Sequence, residues 1–138
     1  MIARELLQAG NVAEALEQVK QDVIKSPQEA SHRVFLFQLF ALTGQWDRAL
    51  KQLKLCGDLD PLAVPMVQCY QHLLDAEAFR EQVFKGTKQP LIFGEPDGWI
   101  AGVLEASQLF CKGEAAVAEQ LLHTALEEAP ASAGTISS

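Results

Sequence analysis

"GNVAEALEQVKQDVIKSP" (residues 10–27) lies without a gap over "GQWDRALKQLKLCGDLDP" (44–61), and that superposition decides the fold. Gly10 and Gly44, Ala15 and Ala49, Leu16 and Leu50, and Pro27 and Pro61 are each 34 residues apart. A third copy, "GEAAVAEQLLHTALEEAP" (113–130), keeps the pattern through Gly113, Ala118, Leu122, Ala125 and Pro130. Self-similarity at such a period marks stacked supersecondary units. The glycine permits positive φ in a tight helix–helix turn. The small alanine five residues later lets the second helix approach the first. Leucines and valines at i+3 and i+4 spacing form the buried stripe, and the proline stops the helix and opens the next unit.

A 34-residue helix–turn–helix unit with these marks resembles the tetratricopeptide repeat, over residues 1 to about 61 and again over 97–130. The large aromatic usual early in the first helix is absent from the second unit, where Arg33 stands, so the repeats are divergent. The resemblance implies an all-α fold of helix-turn-helix repeats stacked as a short right-handed α-solenoid. One helical repeat domain is expected over 1–130, with units at about 1–27, 28–61, 62–89 and 97–130 and a connector at 90–96. Helices are expected over 2–9, 12–25, 29–43, 45–57, 97–111 and 114–129. The stretch 62–85 keeps apolar spacing through Met66, Tyr70, Leu73 and Leu74, then shifts phase near Asp75 to Phe79, Val83 and Phe84. It reads as one kinked helix or as two. Residues 131–138, "ASAGTISS", are small and polar and read as a flexible tail.

Composition narrows the function. A chain of 138 residues, 49% hydrophobic and 21% charged, is ordinary for one soluble domain. No stretch approaches the roughly 18 apolar residues of a membrane span. The start, "MIARELLQAGNV", lacks the basic-then-apolar layout of a signal peptide, so a cytoplasmic location is expected. Cys56, Cys69 and Cys111 are odd in number and widely spaced, which reads as three buried thiols rather than a disulfide framework. His32, His72 and His123 do not cluster with them, so neither zinc nor any other cofactor is expected. The net charge of −7 is uneven: residues 1–90 carry −1 and residues 91–138 carry −6. An acidic surface excludes a nucleic-acid partner, whose phosphates need a basic footprint.

Catalytic patterns are missing. His72 and Asp75 stand one helical turn apart without a third ligand and read as a surface pair. Glu127 and Glu128 are adjacent and so point to different sides of a helix. "GEPDG" (94–98) has neither lysine nor a preceding strand for a phosphate, and no serine or cysteine shares a catalytic signature with a histidine. The chain reads as no enzyme.

A repeat array binds on the side lined by the first helix of each pair. Those positions are Val34, Phe35, Gln38 and Leu42 in the second unit, followed by Gln68, Cys69 and His72. Apolar side chains mixed with amides suit an amphipathic helix. For "RVFLFQLFAL" (33–42), however, a helix apolar nearly all round also reads as buried core. Trp46, just after the turn glycine, is expected to wedge between helices. "PLIFGEPDGW" (90–99) interrupts the helices with two prolines, two glycines and an apolar cluster. Asp97 reads as an N-cap for the helix opened by Trp99. Leu91, Ile92, Phe93 and Trp99 form a possible second contact patch, packed either on the repeat core or on a partner.

The phrases "RVFLFQLFALTGQWDRALKQL" (33–53), "LDPLAVPMVQCY" (59–70), "REQVFKGTKQPLIFGEPDGW" (80–99) and "EEAPASAGTI" (127–136) resemble, in order and spacing, the N-terminal half of the ImpE/TagJ family of type VI secretion accessory proteins. The similarity runs over about 1–136. It implies a cytoplasmic bacterial protein, with no catalytic activity, whose helical repeat half is followed by a second half of similar length. The chain stops after "SAGTISS", where that half would begin. The resemblance further implies binding to an N-terminal helix of the small contractile-sheath subunit TssB, and an indirect link to the ClpV ATPase that recycles the sheath. The expected function is therefore a non-catalytic interaction module of a type VI secretion system. The rivals are a self-associating helical-repeat scaffold and an enzyme whose active site lies in the second half.

Overall fold

Each turn glycine of the repeat closes a helix in the same way. In the computed structural model, which describes residues 2–136, Gly10, Gly44 and Gly113 have φ of 82°, 70° and 82°. The Gly10 N–H donates to the Leu7 carbonyl and the Asn11 N–H to the Leu6 carbonyl. The same pair of bonds recurs at Gly44/Gln45 and at Gly113/Glu114, so all three are Schellman turns. Two residues after each glycine a helix of 14 residues begins: α2 (Val12–Lys25), α4 (Trp46–Leu59) and α7 (Ala115–Glu128). Each ends two residues before Pro27, Pro61 or Pro130.

The first helices of the pairs are α1 (Ile2–Gln8), α3 (Ala30–Leu42) and α6 (Gly98–Cys111). With α5 (Val64–Phe84), preceded by a single 3₁₀ turn at Pro61–Ala63, they complete seven α-helices among the described residues. The fold is all-α. The stretch left open as one helix or two is a single helix of 21 residues. Residues 131–136 carry no regular structure and are exposed; the last two residues of the tail expected to be flexible lie outside the described residues.

The chain divides into two units, one through Ala78 and one from Phe79 onward, so the boundary falls within α5. That explains the phase shift. Up to Leu74 the apolar residues of α5 serve the core of the first unit, where Met66 and Val67 also pack. From Phe79 on they line a groove of the second unit.

In the first unit α2 packs on both α1 and α3, and α3 packs on α4. Phe37, Leu39, Leu53, Val19 and Cys56 are its largest fully buried side chains. Ala15 and Ala49, five residues after their glycines, are wholly buried, as the close approach of paired helices requires. Trp46 packs against this core. Arg33 replaces the missing aromatic as a bridge: it donates to the Gln52 side chain on α4 (3.0 Å) and to the Pro27 carbonyl (3.2 and 3.3 Å). In the second unit α6 packs on α7, and a Cβ at Gly102 would stand 2.9 Å from Ala125 Cβ. Among the described residues of this unit only Ala106, Ala118 and Ala125 are buried. Every large apolar side chain of the second unit keeps some surface.

Two expectations need correction. Asp97 stands at the N-cap of α6, but its side chain makes no cap bond; its backbone carbonyl accepts from the Ile100 and Ala101 N–H groups instead. Of the residues read as a second contact patch, Leu91 and Phe93 are 77% and 93% exposed, and Ile92 and Trp99 are half-buried. The three thiols are not all buried. Cys56 is, whereas Cys69 on α5 and Cys111 at the end of α6 are exposed. Burial pushes the Cys56 thiol up, against the opposing charge of Arg33. Iodoacetamide under native conditions is expected to label two of the three cysteines, with Cys56 reacting only after unfolding. Peptide mass mapping checks this.

Candidate functional site

Each unit carries a groove with an apolar lining between helices. The first, about 520 Å³, lies between α1 and α3. Arg4 and Leu7 form one wall; Ser31, Val34, Phe35 and Gln38 form the other. The spacing follows from the helix, since positions 31, 34, 35 and 38 recur on one face. Leu36, Phe37, Leu39 and Phe40 point the opposite way and are buried. That resolves why "RVFLFQLFAL" looks apolar all round. One face is core, and the other is a wall of half-buried Val34 and Phe35 beside exposed Gln38.

The electrostatics of this groove are mild. Arg4 supplies a cation at its edge, and the Ser31 hydroxyl donates to the Glu29 carboxylate at 2.8 Å. That hydrogen bond holds the Glu29 carboxyl below the usual glutamate range. Such a groove offers an apolar floor, one amide and one guanidinium, a set suited to a helix with an apolar stripe and a polar rim.

Of the seven groove residues expected from sequence, Val34, Phe35 and Gln38 come together here. Leu42 is 63% exposed at the end of α3 and does not line the groove. Gln68, Cys69 and His72 are exposed on α5 and line none of the grooves described. Next to them Tyr70 meets Phe37 edge-on at 5.4 Å, which turns that side of α5 toward the core and the other three outward.

The second groove was not anticipated as such. It measures about 740 Å³ and lies wholly within the second unit. Phe79, Val83 and Phe84 of α5 form one wall, Val103, Ser107 and Phe110 of α6 the other, and Leu91 of the connector reaches into it. Phe84 is 67% and Phe110 45% exposed. The sequence signal for it was Gly86. It has φ of 75° and closes α5 with the same Schellman bonds as the other turns, Gly86 N–H to Val83 carbonyl and Thr87 N–H to Gln82 carbonyl. "VFKG" (83–86) repeats the helix-end pattern of "FCKG" (110–113), but it falls out of the 34-residue register and was hidden by it.

Among the described residues no group of three or more His, Cys, Asp or Glu side chains is placed to hold a metal ion. No helix among them is long and apolar enough to cross a membrane.

No family model matches the chain. Among curated proteins it is similar to the type VI secretion system accessory component TagJ of Pseudomonas aeruginosa, 46% identical over 136 residues. That match covers 99% of this chain and 48% of TagJ, so the chain spans about half the length of the relative it matches. With the phrases of "VFLFQL", "GQW" and "IFGEP" carried on a repeat of paired helices, the chain is similar along nearly its whole length to about half of TagJ, as the resemblance to the ImpE/TagJ family leads one to expect.

Proposed function

We propose that the chain is a non-catalytic protein-interaction module of a bacterial type VI secretion system, acting in the cytoplasm. It docks the N-terminal amphipathic helix of the sheath subunit TssB and thereby influences how the sheath is handled beside ClpV. The groove between α1 and α3 carries the reading: Val34 and Phe35 offer half-buried apolar anchors, with Gln38 and Arg4 on the rim. Gln68, Cys69 and His72 would extend the contact along the exposed side of α5. Helix-in-groove docking places most of its energy in a few such anchors. TagJ, an accessory component of the secretion system, supports the setting.

A synthetic peptide of the TssB N-terminal helix, titrated against Trp46 and Trp99 fluorescence and by calorimetry, tests it. One-to-one saturation is expected. Val34→Asp should weaken binding at least about tenfold, because a carboxylate would be desolvated in an apolar contact, and Gln38→Arg should weaken it less. No binding at about 100 μM, which corresponds to an affinity weaker than about 5.5 kcal/mol, rejects the sheath assignment for this chain. A self-associating scaffold is the second reading, favoured by the exposed Leu91 and Phe93; a mass that rises with concentration would establish it.

A further inference from the structure

We draw no further inference here: the strongest candidate, the apolar groove of the second unit between the end of α5 and α6, is an unpartnered face, and nothing in the structure shows what covers it.

Discussion

Phe37→Ala is expected to lower the stability of the first unit by about 3–5 kcal/mol. Phe37 is 1% exposed, and its ring meets Tyr70 of α5 at 5.4 Å with the planes 60° apart. Truncation removes the transfer energy of a full aromatic side chain and leaves a cavity that helices held by Ala15 and Ala49 cannot close. The edge-on pair adds about 0.5–1.5 kcal/mol within that total. Phe35 is the control two residues away. It is half-buried and lines the α1/α3 groove, so Phe35→Ala should cost less than half as much. Urea unfolding of the two variants, followed by Trp46 in a Trp99→Phe background, measures the difference. Equal losses would place Phe35 in the core and remove it from the binding wall.

The second large effect concerns Gly86. Substituting valine forces a β-branched residue into φ of 75°, at a cost of about 1–2 kcal/mol. It also sets a Cβ 2.8 Å from Cys111 Cβ. Neither atom can rotate away, because both are fixed to backbone, so the ends of α5 and α6 must part. Such overpacking adds about 1–3 kcal/mol. Among its described residues the second unit buries no side chain larger than alanine, so it has little reserve against this. Gly10→Ala supplies the contrast, since the same left-handed turn has nothing within 4 Å of the added Cβ; only the conformational cost remains. With Trp46→Phe as background, Trp99 fluorescence should report a much lower urea midpoint for Gly86→Val. If Gly86→Val and Gly10→Ala cost the same, the contact between the two helix ends does not contribute.

The helices were legible because their punctuation is local. A glycine that must take positive φ, an alanine five residues on and a proline beyond the helix end act through the backbone of a few residues, and the pattern repeats. What was not legible depended on which neighbour a side chain meets. The apolar stretch 33–42 carries both a core face and a groove face, and only the placement of α1 separates Val34 and Phe35 from Leu36 and Phe37. In α5 the apolar stripe changes phase because the helix serves one unit before Ala78 and another after it. Gly86 closes its helix as the other turn glycines do but stands outside the 34-residue register, so the repeat pattern does not single it out. Arg33 looked like a lost aromatic; its guanidinium does the bridging by hydrogen bonds to Gln52 and Pro27. Whether Leu91 and Phe93 meet the core or stay exposed depends on the path of the connector, which local pattern does not give; they are 77% and 93% exposed.

Each helix pairing within the two units joins neighbours along the chain, α1 with α2, α2 with α3, α3 with α4 and α6 with α7. A contact between sequence neighbours closes only a short loop, so little chain entropy is lost before it forms. Helical hairpins of this kind can assemble as the polypeptide leaves the ribosome, without waiting for distant segments. The unpaired end of α5 is the exception. Its apolar side chains Phe79, Val83 and Phe84 must wait for Leu91 and for Val103 and Phe110 of α6, which close a longer loop than the turns of the repeat do.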